Sequence, residues 1–577
     1  MAEITREEII LKAKEGTLLD LLFNLGWGGE DDPVISKLAA CHNLGDIDLL
    51  ALITTENLSI YKGPKFFRGQ RVFVSLISKL NSSAQSLLHA VDVFYNAAGN
   101  DMAANLSVEE FAKWCEAMPS RPNELLNLID QKVPGSERYL TIALKTGYAI
   151  NPSYITERIY GYFISGEEFE KIGAIRALSL IDVSDWKRMI VELKNALSLE
   201  LSDSICAAIL TSSINNLKKS PVQYSEDLKS IIFTSLKIKS KEVLYAAAQI
   251  LAFHYAHLES DVVNELFVTL SEIDSQDTHV IEVVDVALAN ILKAGNVEQV
   301  QVYLEGVFLK GNAGFNLDMF DSLSYQLLDS PLKILEGWVV RWLRLGDYNL
   351  CKQMSDGLFN TGGEAFSFDI DFSTYNLNEN EYGYLARKAI GTFFTKAVIM
   401  TSILISLLKS APASAIKEIE TLLVDIVLTN YSGVATKYIN TISERSDLKI
   451  NEIIKRVLAD FDSYLTGLRV IKYVPELFPS ERERQLEWQR HCDSTAEAMK
   501  AARKKSLFSS LMSESILLYG NHSISWIQDA LLQPEPRRIE TPLASFSHSY
   551  EIPRMDVVDP LGLQLMIISF RREERPE

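Results

Sequence analysis

The chain has 577 residues, 47% hydrophobic and 23% charged, enough to build a large packed core without disulfide or metal staples. With 28 glycines and 17 prolines, both below average usage, collagen-like and low-complexity classes are excluded and a mainly α fold is expected. A formal charge of −19 at pH 7 excludes a surface built as a whole to grip nucleic acid or an anionic membrane, since both recruit clustered Lys and Arg.

The first twenty residues mix Glu3, Arg6, Glu7, Glu8, Lys12, Lys14 and Glu15 with no apolar run of signal-peptide length, so a cytoplasmic location is expected. Residues 1–150 read as an N-terminal helical domain or cap. Its helices are placed at Thr17–Leu25, Val34–Cys41, Val72–Leu80, Ala84–Ala98 and Val108–Met118, separated by GWGG at 26–29 and GPKFFRGQ at 63–70. GWGG lacks the preceding strand that would aim backbone amides at a phosphate, and neither GxGxxG nor GxxxxGK[ST] occurs, so nucleotide hydrolysis is not expected. Tyr61–Phe73 interleaves Lys62, Lys65, Arg68 and Arg71 with Tyr61, Phe66, Phe67 and Phe73. Positive charge alternating with rings is the mixture single-strand nucleic-acid binders use, whereas core aromatics beside a solvated loop are its plainer reading.

Between Pro152 and Pro475 only Pro221, Pro331 and Pro412 intervene, which predicts long helices. Ser, Asp and Pro punctuation places helix starts near 154, 184, 224, 260, 297 and 332, with partner helices near 166, 203, 240, 278 and 318. Small residues recur in the partner helices: IGAIRAL at 172–178, ICAAIL at 205–210, YAAAQIL at 245–251 and VALANIL at 286–292. A helical pair that repeats every 35–40 residues or so cannot bury its apolar face alone, and stacking completes the core. In this period and small-residue placement residues 154–350 resemble a HEAT or armadillo-type array. The resemblance implies a shape class only, an α-solenoid-like stack over about 151–357, a shape that enlarges the surface per residue. Separately, no motif marks a catalytic residue.

Within that stretch His254 and His257 stand three apart, a spacing that can hold a metal, but LAFHYAHL brings no carboxylate until Glu259, and a buried histidine pair is the simpler reading. From Tyr255 to Ser330 thirteen acidic residues face only Lys293 and Lys310. Glu259, Asp261, Glu265, Glu282, Asp285, Glu298 and Glu305 are therefore read as an acidic surface for a basic protein segment, with an ordinary solvated face as the alternative.

Residues 358–384 break the pattern. Phe366, Phe368, Ile370 and Phe372 alternate with Ser367, Asp369, Asp371 and Ser373, predicting an inserted strand or hairpin over 366–375. Asp369 and Asp371, with Glu364, Glu379 and Glu381 close in sequence, have the chemistry of a Mg²⁺ or Ca²⁺ site, although a solvated strand face explains them more simply. Helices resume over 385–532. Ala389–Leu408 is long enough to be tested as a membrane span, but Lys396 and the flanking Ser and Thr favour a buried helix. A charged helix is expected from Ser480 to about Leu517. The Pro-rich tail 533–577, which contains LGLQLMIISF, reads as extended chain ending in a strand that pairs with 366–375 or another edge.

Cys41, Cys115, Cys206, Cys351 and Cys492 lie too far apart for a zinc site and fit a reducing compartment as small apolar residues. His491, Cys492, His522 and His548 with Glu551 have the residue types of a Cys–His enzyme, but not its spacing. No cofactor and no metal is expected. The leading expectation is a non-catalytic scaffold or interaction subunit that binds a protein partner. Nucleic-acid association through 61–73 is the alternative, and a metal-dependent enzyme at 364–381 a weaker one. No motif fixes a pathway; an accessory protein of a bacterial multi-protein system such as phage defence is the working expectation.

Overall fold

The computed structural model describes residues 4–24, 33–99, 102–198, 202–309, 314–358, 366–444, 448–472, 479–505, 522–527, 537–542 and 551–576. The chain divides into two units, Met1–Ile334 and Leu335–Glu577.

Unit 1 begins with α1 (Arg6–Lys14), α2 (Leu18–Asn24), α3 (Pro33–Asn43), α4 (Thr55–Leu58), α5 (Gly63–Ile77), α6 (Ala84–Ala98), α7 (Asn105–Glu116), α8 (Arg121–Asp130) and α9 (Leu140–Tyr148). It continues with α10 (Pro152–Ser165), α11 (Glu168–Leu180), α12 (Trp186–Ser198), α13 (Asp203–Leu217), α14 (Val222–Leu236), α15 (Lys241–His254), α16 (Ser260–Leu270), α17 (Thr278–Lys293), α18 (Val297–Leu309) and α19 (Asp321–Asp329). From α10 onward the starts fall within a few residues of those the punctuation predicts. The punctuation works through capping: Asn151 accepts from Tyr154 N–H, Ser202 from Ile205 N–H and Ser240 from Val243 N–H, each satisfying a donor that the first helical turn leaves without a partner.

The helices stack in two layers. In the odd layer α3, α5, α7, α9, α11, α13, α15, α17 and α19 each pack on the next. In the other layer α10, α12, α14 and α16 do the same. Unit 1 is therefore a helical-repeat stack. Small side chains explain the closeness of the odd layer: Gly173, Ala174 and Ala177 of α11, Ala208 of α13, Ala246, Ala247 and Ala248 of α15 and Ala287 of α17 are all buried. A β-carbon at Gly173 would come within 2.8 Å of the Leu140 side chain on α9.

Two expectations for this unit change. GPKFFRGQ does not separate helices; it forms the first turns of α5, with Pro64 in the opening turn, where its missing N–H has no bond to lose. Residues 4–148 also continue the stack, because one apolar core runs unbroken from Ile9 through Leu144 to Ile231. The step is hidden in the sequence by the four-residue α4 and by the 3₁₀ turns Met102–Ala104 and Glu137–Tyr139, which vary the repeat length.

Unit 2 takes over within α20 (Leu332–Leu345) and contains α21 (Tyr348–Gln353), α22 (Glu379–Phe393), α23 (Ala397–Ser410), α24 (Ala413–Leu422), α25 (Ser432–Ser443), α26 (Leu448–Val470) and α27 (Glu481–Lys505). Strands β1 (His522–Ile527) and β2 (Arg537–Pro542) form an antiparallel pair, followed by α28 (Arg554–Val558) and α29 (Pro560–Arg572). α22 packs against α23, α24 and α29.

The expected strand at 366–375 is absent. Phe368, Ile370 and Phe372 are buried as the alternation predicts, but the neighbours are helices. Phe368 N–H donates to Ser402 Oγ at 3.0 Å and Ile370 N–H to Ser406 Oγ at 3.1 Å, both on α23, and Asp369 N–H donates to Glu336 Oε1 at 3.1 Å. Side chains thus satisfy the backbone where a strand would have done so, and a 3₁₀ turn, Phe372–Tyr375, follows. The expected terminal strand LGLQLMIISF is likewise the helix α29, with Pro560 in its first turn and Asp559 accepting from Gly562 N–H. A short apolar run has no period of its own to separate helix from strand, and contact with α22 decides it. Ala389–Leu408 is broken at residues 394–396 between α22 and α23. Among the described residues no helix is long and apolar enough to cross a membrane.

Candidate functional site

Ion pairs close successive steps of the even layer of unit 1. Arg158 on α10 meets Asp130 of α8 at 2.5 Å, Arg188 on α12 meets Glu157 of α10 at 2.7 Å, and Lys194 of α12 meets Asp227 of α14 at 2.6 Å. Lys229 of α14 then reaches forward to Glu259 at 2.6 Å and Asp261 at 2.9 Å at the start of α16. Hydrogen bonds to Glu259 and then Asp261 hold the Lys229 ammonium above its ordinary value, and the same Lys229 bond holds the Asp261 carboxyl below the usual range. The next step, α16 to α18, has no Lys or Arg on either helix.

A groove of about 830 Å³ opens between those two helices. Phe267 and Tyr303 form its floor with ring centroids 5.2 Å apart, and the Tyr303 hydroxyl donates to Leu270 C=O at 3.1 Å. Val268 and Val302, 59% and 50% exposed, form apolar walls, and Asn264, Gln299 and Glu298 supply polar edges. An apolar cleft edged by a carboxylate and lacking cations on both of its helices can accept a segment that is itself apolar and basic.

The seven acidic residues singled out from sequence do not act as one surface. Glu259 and Asp261 are held by Lys229. Asp285 is buried and caps α19, accepting from Ser322 N–H at 2.9 Å and Leu323 N–H at 2.8 Å. Glu305 is buried and Glu265 half-buried, while Glu282 and Glu298 are exposed, with Glu298 on the groove. Sequence reasoning found the charge and missed the groove. The available signal was that α16 and α18 are apolar beyond a single face, with Val268 and Val302 in excess of what the core needs.

The other sequence-derived sites disperse, except that His491 and Glu551 line one cavity of unit 2. In 61–73 the rings turn inward: Tyr61, Phe66 and Phe73 are buried and Phe67 is half-buried, with Tyr61 stacked on Phe23 at 3.9 Å and Phe73 on Phe94 at 4.5 Å. Lys62 and Arg71 are exposed, Lys65 lies 5.1 Å from the Tyr61 ring centre, and Arg68 Nε donates to Pro64 C=O at 3.3 Å. Rings committed to the core cannot stack bases, so that mode is closed. His254 Nδ1 lies 3.0 Å from Lys218 Nζ, and burial, then Lys218 and His257, push His254 below its usual value; His257 is exposed on a 3₁₀ turn.

In unit 2 Asp369 pairs with Lys409, Asp371 accepts from Ser373 N–H at 3.1 Å, and Glu379 accepts from Ser414. Glu381 is buried between Arg575 at 2.5 Å and Arg344 at 3.4 Å. Burial pushes the Glu381 carboxyl up, but Asn378 N–H, Arg575 and Arg344 outweigh it and hold the group below the ordinary range. Glu364 lies outside the described residues, and among the described residues no three His, Cys, Asp or Glu side chains are placed to share a metal ion. Cys41, Cys115, Cys206 and Cys351 are buried, and Cys492 is exposed on α27 beside His491. Glu551 caps α25, accepting from Gly433 N–H and Val434 N–H at 2.8 Å each. The His522 side chain and His548 lie outside the described residues.

The end of the chain fastens unit 2. Met555 N–H donates to Asn430 Oδ1 at 2.8 Å, Arg571 Nε to Gly391 C=O at 2.5 Å, and Glu573 pairs with Arg387 at 2.6 Å. Lys388 is fully buried, donating to Gly346 C=O at 2.8 Å and Arg571 C=O at 2.6 Å, and burial pushes it below the ordinary lysine value. A β-carbon at Gly391 would stand 2.9 Å from Phe570 Cβ, so a glycine is needed where α29 approaches α22. Beside this strap lies a mainly apolar cavity of about 800 Å³, lined by Phe394, Tyr431, Leu563 and Ile567 among others, with Lys396, His491, Glu551 and Asp556 also on its wall.

No protein-family model matches the chain, and no curated protein matches it in sequence. Among solved structures it is similar to a circular tandem repeat protein with a novel repeat topology and enhanced subunit contact surfaces, at 11% identity and a TM-score of 0.20 over 80% of this chain and 95% of that one. At that score the likeness carries no argument; the repeat character of unit 1 rests on its own layer contacts.

Proposed function

We propose that the chain is a non-catalytic cytoplasmic scaffold, built from helical pairs of the HEAT or armadillo kind, that holds a basic, partly apolar segment of a partner protein between α16 and α18. One observation carries the reading: basic–acidic rungs join the steps from α8 to α16, and the step that lacks a basic residue opens into an apolar groove of about 830 Å³, against a polar pocket of about 300 Å³ at the α8–α10 step. Apolar walls supply the area for affinity, and the absence of cations on both helices selects the sign of the partner.

Affinity purification from the native cell with wild type and with the double variant Val268→Arg, Val302→Arg tests it. A protein retained by wild type and by Tyr325→Ala, a surface control outside the groove, but lost with the double variant is the expected result. The same set of retained proteins for all three chains removes the reading. Retention of nucleic acid that weakens steeply with salt would replace it with a phosphate-binding function.

A further inference from the structure

Every residue of α27 from Glu481 to Lys504 is exposed, although the helix runs 25 residues. Its start is well defined: Glu483 N–H donates to Ser480 Oγ at 3.3 Å and Ser480 N–H to the Glu483 carboxylate at 2.7 Å, a reciprocal cap. A helix of this composition gains little by standing alone, since helical stability in proteins comes mostly from packing one face. Trp488 and Met499 are 70% and 60% exposed, and large apolar side chains aligned on an open face mark a contact surface.

Trp488, Cys492, Thr495, Met499 and Ala502 recur at alternate spacings of four and three and so line one seam of the helix, preceded in its first turns by Glu481 and Gln485. That spacing is the one paired helices use. The positions flanking the seam hold Arg482, Gln489, Ala496 and Arg503 on one side and Arg484, His491 and Ala498 on the other, without a carboxylate. Glu483, Asp493 and Glu497 lie on the opposite face. In an antiparallel pair of this helix Arg482 would face Arg503, and in a parallel pair no flanking position supplies a carboxylate to Arg484 or Arg503, so self-pairing lacks a counter-charge. Two large apolar residues on the seam are also too few for insertion into a bilayer surface.

We infer that α27 is a docking helix for an amphipathic helix of another protein whose apolar stripe is flanked by acidic residues. Trp488 and Met499 supply the buried anchors, and the flanking arginines select the partner's charge. This surface is separate from the groove of unit 1 and stands or falls independently of it.

The test uses the full chain and two labelled four-heptad peptides with leucine along the seam, one flanked by glutamate and the other by lysine, followed by fluorescence anisotropy. The expected result is binding of the glutamate peptide roughly tenfold or more tighter than the lysine peptide, weakening with salt. Trp488→Ala should weaken it by roughly tenfold, Arg484→Glu with Arg503→Glu should invert the preference, and Glu497→Ala should leave it unchanged. All of these substitutions are on exposed positions, and circular dichroism checks that helix content is kept. Equal binding of both peptides, binding of neither, or Trp488-dependent binding to phosphatidylglycerol vesicles without peptide binding would each overturn the inference.

Discussion

The two units are held together on different length scales. In unit 1 the tertiary hydrogen bonds join neighbouring repeats: Trp114 to Leu80 C=O, Lys219 to Ser179 C=O, Asn290 to Ala252 C=O and Tyr303 to Leu270 C=O span 34, 40, 38 and 33 residues. In unit 2 the last segment returns over 117 to 194 residues to cap α25 and clamp α22. A stack of near neighbours confines damage to adjacent repeats, whereas a unit closed by its own terminus loses the whole when that terminus is removed.

Deleting residues 551–577 should break this contrast most visibly. It removes the Glu551 cap, the Asn430 partner, both Lys388–Arg571 and Arg387–Glu573 contacts, and the packing of α29 on α22. Calorimetry should show the transition of unit 2 lost or strongly lowered and that of unit 1 unmoved; equal shifts in both would refute the division. Next, Leu288→Ala in α17, at a fully buried position, should cost about 2–5 kcal/mol. Hydrogen exchange should speed up in α15, α17 and α19 while α3 to α9 keep their protection, and acceleration throughout would show that the stack unfolds as one body.

Glu381→Gln should cost about 3 kcal/mol, at the low end for breaking a buried pair, because Arg344 and Arg575 keep partial access to water. Since the Glu381 carboxyl is held below its ordinary value of 4.5, its contribution is complete above that pH and is lost as pH falls through the depressed value. Thermal melts from pH 6 downward should therefore show a steeper acid loss for wild type than for the variant; parallel curves would contradict the role. The smallest effect is Ser240→Ala, which removes the α15 cap and should cost about 1 kcal/mol, with exchange faster only in the first turn of α15.

Where local chemistry sets the structure, the sequence was readable. Ser202, Ser240 and Asn151 mark helix starts because their side chains satisfy donors a few residues away, and the small residues of α11, α13, α15 and α17 show where helices approach. What depends on distant partners was not. Phe368 and Ile370 have the alternation of a strand, yet Ser402 and Ser406 of α23 take the place of a strand partner. LGLQLMIISF is settled by α22. Asp285 counts as surface charge until the Ser322 and Leu323 amides are seen to bind it, and the rings of 61–73 resemble a stacking platform until Phe23 and Phe94 are found beneath them. The groove was half legible: charge and missing cations are properties of the sequence, but two helices 37 residues apart become one cleft only through the stack.

The terminal strap also sets an order of events during synthesis. Unit 1 can finish its core while the residues of unit 2 are still being added, because each repeat packs on its neighbours in the stack. Unit 2 must wait for a segment at least 183 residues further along the chain: until Arg571, Glu573 and Arg575 emerge, Lys388 lacks one of its two acceptors, Arg387 has only Glu418 and Glu381 only Arg344 as counter-charge. A premature stop or a proteolytic nick between unit 1 and residue 551 would thus leave a folded unit 1 attached to an unfinished unit 2, the kind of product that is recognised by its exposed apolar surface.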